Sequence, residues 1–175
     1  DKIMKTQFSK RELLRRCSKI KLLSLDTDGV LTDGGIYVDD AGNQQRKFNV
    51  KDGMGIRLLL EAGIEVTIIT ASSTNSIKHR AEMLNIKYVY LGVEDKLACL
   101  ESLCKELRLD MSEVAHVGDD LNDVPLLESV GLPLTVKDAT EAAIKASYLV
   151  TEMAGGEGAV REVCDMILYS KSNEK

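Results

Sequence analysis

Short apolar segments alternate with amphipathic ones along most of this chain. Leu22–Leu25 is a mostly apolar run and Glu65–Thr70 is rich in β-branched side chains, so both are typical of buried strands. Between such segments apolar residues recur at helical spacing, as at Leu13, Leu14 and Cys17. Strands that alternate with helices predict an α/β fold with a doubly wound parallel sheet. The predicted strands cover about 20–25, 65–70, 87–91, 114–117, 132–136 and 148–150, and the predicted helices 9–18, 52–62, 72–85, 95–107, 123–130, 139–146 and 159–168.

A β-hairpin is predicted directly after the first strand. The segments Ile36–Val38 and Gln45–Val50 flank the polar sequence DDAGN, whose glycine favours a turn. We expect this hairpin to form a flap or a contact between subunits. Nothing else in the chain is long enough for a cap domain, and no repeat or linker divides it, so residues 1–175 are predicted to form a single domain.

Composition and charge narrow the class of protein. The chain has 175 residues, 44% of them hydrophobic, and a formal net charge of −5. This charge and the lack of a basic stripe argue against nucleic-acid binding, and no apolar run approaches the roughly 20 residues of a membrane helix. No signal peptide is visible, and the four cysteines lack metal-binding spacing, so we expect reduced thiols, no zinc and a cytoplasmic location. Of the two histidines, His116 lies in an apolar run and is predicted to be a core residue.

The first strand is followed by the sequence DTDG, which carries Asp26 and Asp28. Ligands of open α/β sheets bind beyond the carboxyl ends of the strands, so both carboxylates are placed to face one site. Carboxylates this close repel each other unless a cation or a shared proton compensates, and Mg²⁺ prefers such oxygen ligands. An aspartate can also act as a nucleophile toward phosphorus. Taken alone, the motif favours a solvated acidic turn closed by Gly29, because Asp and Gly are typical turn residues.

Three further loops carry polar groups after predicted strands. Thr70 and Ser72 follow the second strand, where hydroxyl groups and helix-start amides can cradle a phosphate or simply cap a helix. Lys96 lies at a helix start, where the helix dipole disfavours a cation, although a solvated surface lysine is the alternative. The sequence GDDLND, with Asp119 and Asp123, is typical of either a metal site or a capped turn.

The order of these features resembles the haloacid dehalogenase superfamily from about Lys19 to Leu168. The strings DTDGVLTDGGIY, KFNVKDGMGI, GVEDK, VGDDLND and GGEGAVREV are similar to those of its small capless phosphatases that act on sugar-acid phosphates. The resemblance implies a phosphatase whose substrate is a small phosphorylated keto-deoxy sugar acid.

The resemblance also implies a role for each loop. Asp26 is the expected nucleophile and Asp28 the general acid and base. Mg²⁺ is the expected cofactor, held by the Asp26 side chain, the Asp28 carbonyl group and Asp119, with Asp123 supporting the water shell of the metal. Thr70 and Lys96 are expected to hold the phosphoryl oxygens.

A substrate-binding group is implied as well. It comprises Asn49, Val50, Lys51, Asp52, Gly53, Arg57, Ser72 and Arg80, together with Asp28 and Lys96. Arg80 is alternatively an exposed helix arginine. The sequence Thr70-Ala71-Ser72 departs from the Thr-Gly-Arg that resembling enzymes carry, and serine cannot supply the missing charge.

The resembling phosphatases are tetramers in which hairpins pack together and a neighbour helps to close each site. We therefore expect a homotetramer, with Gly155, Gly156 and Gly158 making a nearby segment mobile enough to cover a site. Two other functions stay open: a phosphatase for another small phosphate ester, and a catalytically silent oligomerisation module. The second is disfavoured, because a silent module has no need of Asp26, Asp28, Lys96 and the acidic fourth loop together.

Overall fold

A six-stranded parallel sheet forms the centre of the protein in a computed structural model that describes residues 9–173. Its strands are β1 (Leu22–Leu25), β4 (Glu65–Ile69), β5 (Tyr88–Tyr90), β6 (Val114–Val117), β7 (Leu132–Thr135) and β8 (Leu149–Val150). The order across the sheet is β5-β4-β1-β6-β7-β8. The chain therefore builds the sheet outward from β1 in one direction and returns to add β6 on its other side. The predicted doubly wound sheet is confirmed, and its topological switch point lies between β1 and β6.

Helices cover both faces of this sheet. They are α1 (Lys10–Ser18), α2 (Val50–Glu61), α3 (Asn75–Met83), α4 (Lys96–Leu107), α5 (Val124–Leu127), α6 (Glu141–Ala146) and α7 (Ala159–Ser172). One apolar cluster lies under α1, α2, α3 and α7, and a second lies under α4 and α5. Strand β1 contributes side chains to both clusters: Leu23 and Leu25 belong to the first and Leu22 to the second. This burial on both faces explains the continuous apolar character of the strand.

The hairpin after β1 is shorter than its sequence predicts. It consists of β2 (Tyr37–Val38) and β3 (Gln44–Gln45), paired antiparallel. The predicted second arm to Val50 is wrong, because the side chain of Asn49 accepts a hydrogen bond from the Lys51 amide and begins α2 at Val50. Residues between β3 and Asn49 leave the ladder and cross toward the sheet.

The helices predicted from 72 and from 123 also begin later than expected. Helix α3 begins at Asn75, and Ser72 stays in the preceding loop, where its hydroxyl group accepts a side-chain hydrogen bond instead of capping the helix. Residues 121–123 form a 3₁₀ turn, and Pro125 sits in the first turn of the short α5. Within residues 9–173, no helix combines the length and the apolar character needed to cross a bilayer. The four cysteines are free, as expected.

Candidate active site

The carboxyl ends of β1, β4 and β6 meet at one cavity of about 270 Å³. Five of the sequence-predicted site residues line it: Asp26, Asp28, Thr70, Ser72 and Asp119. Asp26 and Asp28 follow β1, Thr70 and Ser72 follow β4, and Asp119 follows β6. The parallel direction of the strands brings these loops to the same edge, at the switch point where ligands of such sheets bind.

Asp26 lies at the base of the cavity and is only 6% exposed. Its Oδ1 atom accepts a hydrogen bond of 2.8 Å from the Thr27 amide and lies 3.0 Å from the Lys96 ammonium group. Burial, with the negative charge of Asp123, raises the pKa of Asp26 to about 7, although Lys96 and the Thr27 amide oppose the increase. The carboxylate is thus desolvated and has one cation directly beside it.

A buried polar chain extends behind Asp26. Lys96 and His116 each place a nitrogen 3.0 Å from Oδ1 of Asp123, and the other ring nitrogen of His116 lies 2.8 Å from Ser24 Oγ. Burial raises the pKa of Asp123, but the hydrogen bonds and charges of His116 and Lys96 outweigh this effect and hold it well below its usual range. His116 is buried, as predicted, yet it belongs to the support of the site. No signal in its apolar segment indicates that role.

Lys96 lies beside Asp26, and its expected contact with the phosphoryl oxygens stays a prediction. Its side chain is 1% exposed and pairs with both Asp26 and Asp123. Burial lowers the pKa of Lys96, but the two carboxylates outweigh burial and raise it, so the group carries a positive charge. The positive charge lies next to Asp26, at the base of the site.

Asp119 approaches the cavity from the β6 side. Burial and the charge of Asp123 raise its pKa to about 6. The carboxylate packs against Gly29, where a Cβ atom would lie 1.8 Å from Oδ2 of Asp119 and the backbone has φ of +84°. A glycine is required at this turn for both reasons, so the DTDG sequence allows the two acidic loops to approach each other.

The carboxylates form a set that fits a divalent cation. Asp26, Asp119 and Asp123 each offer an oxygen within 4.8 Å of the others. Three carboxylates outnumber the two basic side chains, Lys96 and His116, that pair with them in the described part of the chain. The group therefore keeps an excess of negative charge when all three acids are ionised. Hard oxygen donors with such an excess of charge match Mg²⁺. The Oδ1 atom of Asp123 accepts hydrogen bonds from Lys96 and His116, and its Oδ2 atom accepts one from the Asp119 amide. Because both oxygens already have partners, Asp123 is better placed to support the metal site than to bind the metal directly.

Asp28 pairs with Arg46, a residue that no sequence motif indicates. The guanidinium group donates from Nε to Oδ1 at 2.7 Å and from Nη2 to Oδ2 at 3.1 Å. It also donates to the hydroxyl groups of Ser72 and Thr74. Arg46 follows β3, so its basic side chain reaches the site only because the chain crosses back from the hairpin.

The other predicted substrate-binding residues lie outside this cavity. Asn49 caps α2 and donates to the Gly156 carbonyl, while Asp52 is buried and accepts from the Arg161 amide at the start of α7. Arg80 donates to the Asn49 carbonyl and lies over the Phe48 ring. The remaining members of this group are Val50, Lys51, Gly53 and Arg57. In this single chain the group joins the base of the hairpin to α2, α3 and α7.

The glycine-rich segment before α7 is packed against the acidic turn. A Cβ atom on Gly155 would lie 1.8 Å from the Gly29 carbonyl oxygen, and the Gly156 amide donates to the Val30 carbonyl group at 3.0 Å. The Asp138 carboxylate accepts from the Gly155 amide. This close backbone approach explains the glycine at 155, while the expectation that the segment is mobile enough to cover a site stays a prediction.

Comparison with known proteins identifies relatives of this chain. Residues 93–163 match the family model of haloacid dehalogenase-like hydrolases. The 3-deoxy-D-manno-octulosonate 8-phosphate phosphatase KdsC of Escherichia coli strain K12 is 43% identical over 160 residues, covering 91% of this chain and 85% of that protein.

Two solved structures are similar over most of their length. The 3-deoxy-D-manno-octulosonate 8-phosphate phosphatase of Yersinia pestis is 41% identical with a TM-score of 0.90, covering 92% of this chain and 87% of that one. The phosphatase of the same name from Moraxella catarrhalis, in complex with magnesium ion, phosphate ion and KDO molecule, is 36% identical with a TM-score of 0.92, covering 94% and 95%.

The fold and the carboxylate site therefore define a haloacid dehalogenase-like hydrolase, and the predicted resemblance is confirmed. The extent of the similarity to the relatives above narrows the class. The chain belongs to the family of the 3-deoxy-D-manno-octulosonate 8-phosphate phosphatases.

Proposed function

We propose that this protein is a Mg²⁺-dependent phosphatase that hydrolyses the monoester 3-deoxy-D-manno-octulosonate 8-phosphate. One observation carries the reaction type: Asp26, Asp28 and Asp119 line a single cavity, and Asp26 is paired with a buried lysine. The similarity to the phosphatases above supports the substrate. The product of this reaction is a precursor for lipopolysaccharide synthesis.

Asp26 is the nucleophile in this proposal. An oxygen of its carboxylate forms a bond to phosphorus while the bond between phosphorus and the sugar oxygen breaks, and Asp28 gives its proton to that leaving oxygen. Water then attacks the aspartyl phosphate, Asp28 accepts a proton from this water, and the bond between Asp26 and phosphorus breaks to release inorganic phosphate. Each proton that Asp28 gives in the first step is recovered in the second.

The remaining residues balance the charge of the site and position the reacting groups. Asp26, the Asp28 carbonyl group and Asp119 would hold Mg²⁺, and Asp123 would support the water shell of the metal. The bound ion would supply positive charge to the phosphoryl oxygens. Thr70 and the loop at Ser72 line the opposite side of the cavity, where hydroxyl and amide groups can donate to the phosphoryl group. Lys96 keeps Asp26 in place and offsets its charge from behind.

A phosphate-release assay tests this function directly. The purified protein should release inorganic phosphate from the octulosonate 8-phosphate and, more slowly, from p-nitrophenyl phosphate, in both cases only with Mg²⁺. A panel with 2-keto-3-deoxynononate 9-phosphate and uncharged sugar phosphates then ranks the substrates by kcat/KM. Activity on none of these esters would leave the silent oligomerisation module as the better reading of the chain.

We also propose that the protein forms a homotetramer through its hairpin. Three consecutive apolar side chains of the hairpin are exposed, with Ile36 at 43%, Tyr37 at 69% and Val38 at 63%. A two-stranded hairpin is marginal in water, so burial against copies of itself would stabilise it. Val50, at 79% exposed, extends this surface toward the group of Asn49 and Arg80, which lies outside the chain's own cavity and could then face a neighbour.

Light scattering at micromolar concentration measures the assembly. The expected mass is four times that of the 19.2 kDa chain. Tyr37→Glu, which places a charge in the proposed interface, should give smaller species, whereas Lys47→Glu, two residues after the hairpin, serves as a charge-changing control. A fully active monomer would refute the proposed tetramer and leave the proposed reaction unaffected.

A further inference from the structure

The guanidinium group of Arg46 is the one buried cation at the mouth of the cavity in residues 9–173 that the mechanism above does not use. Its side chain is 1% exposed, whereas the side chain of its partner Asp28 is 32% exposed. The bidentate pair joins Nε to Oδ1 and Nη2 to Oδ2 at 2.7 and 3.1 Å. Both oxygens of the Asp28 carboxylate are therefore held in one plane by a rigid fork.

The fork is itself fixed from its far side. Nη1 donates to Thr74 Oγ1 at 2.7 Å, and Nη2 donates to Ser72 Oγ at 3.0 Å. Thr74 precedes α3 and makes no capping hydrogen bond with its side chain, so its hydroxyl group serves Arg46. The small side chain at Ser72 both accepts from the guanidinium group and leaves room for it. Arg46 is thus clamped between the β1 loop and the loop before α3.

A proton donor at this position needs a defined direction. An unrestrained aspartate on a half-exposed loop rotates about two side-chain bonds, and only some rotamers aim the carboxyl group at a leaving oxygen. Holding a catalytic group in its productive geometry lowers the barrier to reaction. Because Arg46 is almost fully buried, it cannot contact a substrate in this conformation, so any influence on the reaction passes through Asp28.

We propose that Arg46 is a positioning residue that fixes the carboxyl group of Asp28 for transfer of a proton to the leaving sugar oxygen. This inference rests on the proposed role of Asp28. The hairpin then has a function within its own chain: the turn at β2 and β3 carries Arg46 back to the rim of the cavity and holds the acid in place.

The test compares two esters that differ in their need for an acid. A sugar phosphate releases a strongly basic alkoxide, which requires a proton, whereas p-nitrophenyl phosphate releases a stable phenolate, which does not. The parameter kcat/KM covers the steps up to release of this group. In Arg46→Gln, kcat/KM should fall about 10-fold or more for the sugar phosphate and about threefold or less for the aryl phosphate.

Two variants complete the experiment. Lys47→Gln is the matched control, since Lys47 is the next residue, is 58% exposed, and pairs with Asp33 and Glu157 away from Asp28; it should leave both parameters unchanged. Thr74→Val removes an anchor of the guanidinium group without touching Asp28. It should lower kcat/KM for the sugar phosphate alone, by about threefold, and it answers the question even when Arg46→Gln fails to fold.

The outcomes separate this inference from the proposed function. Asp28→Asn sets the reference, with a large loss in kcat/KM for the sugar phosphate and a much smaller loss for the aryl phosphate. If Asp28→Asn makes no distinction between the esters, the proposed acid is wrong. If Asp28→Asn distinguishes them while Arg46→Gln and Thr74→Val reduce both equally or neither, only the positioning role of Arg46 is overturned.

Discussion

The ammonium group of Lys96 lies 3.0 Å from Oδ1 of Asp26, and both side chains are almost completely buried. Lys96 begins α4, an end of the helix where the dipole disfavours a cation. Burial lowers the pKa of this lysine as well, but the carboxylates of Asp26 and Asp123 outweigh burial, raise the pKa and keep the lysine charged. The pair gives the base of the cavity a desolvated carboxylate whose negative charge is partly offset before any ligand binds.

Replacement of Asp26 by asparagine tests the nucleophile. An amide does not attack phosphorus, so Asp26→Asn should lower kcat by about 10³-fold or more on every ester. Circular dichroism should show an unchanged fold, because the two side chains have nearly the same shape. Asp40→Asn, in the exposed hairpin loop, is the matched control and should keep full activity. Substantial turnover by the Asp26 variant would exclude an aspartyl phosphate.

Removal of the metal, or of one ligand, tests the carboxylate cluster. A chelator should abolish activity and added Mg²⁺ should restore it. Asp119→Asn should need at least about 10-fold more Mg²⁺ for half-maximal activity, and calorimetric titration should show the same weakening of Mg²⁺ binding without substrate. An unchanged Mg²⁺ affinity in this variant would place the metal elsewhere.

His116 should matter although it is remote from solvent. Both ring nitrogens have partners, Ser24 and Asp123, and all three side chains are completely buried. His116→Phe fills the space but leaves two buried polar groups with one partner fewer, which costs about 1–3 kcal/mol of unfolding free energy. Urea unfolding measures this loss. In the double variant with Ser24→Ala, one of these orphaned groups is removed, so part of the stability should return; a further additive loss would contradict the hydrogen-bonded chain.

Asp52 makes stability depend on pH. Burial raises its pKa from 3.8 to about 6, although the Arg161 amide and the charges of Arg80 and Arg161 oppose the increase, and Glu157 adds to it. The folded chain thus holds this proton more tightly than the unfolded chain. Raising the pH through this range ionises a buried carboxyl group and lowers the free energy of unfolding, on the order of 2 kcal/mol.

The variant Asp52→Asn isolates this effect, since its side chain is neutral at every pH. Urea unfolding at pH 4.5 and at pH 7.5 gives the free energy of unfolding of both proteins. The difference in favour of the variant should increase between the two pH values by the amount above. A difference that stays constant, or that shrinks as the pH rises, would show that burial does not penalise the Asp52 carboxylate.

Local sequence patterns determined much of the fold. Strand β6 was predictable to the residue and strand β1 to within two residues, because runs of apolar side chains buried on both faces are a property of a few consecutive positions. Asp26, Thr70 and Asp119 could be placed at the site for a related reason. Each lies within two residues of the end of such a strand, and parallel strands bring their carboxyl ends to one edge of the sheet. The strand order itself, with β1 between β4 and β6, had no local signal.

Only the tertiary structure decided the partners of these residues. Arg46 lies 18 positions after Asp28 along the chain and outside every motif, and it becomes part of the site because β3 ends after two residues and the chain crosses inward. His116 looks like any residue of a buried strand, yet the pairing of β1 with β6 sets it opposite Ser24. A hydrophobic pattern records which side of an element is buried. It does not record which polar groups from distant elements meet there, because those contacts follow from how whole elements pack.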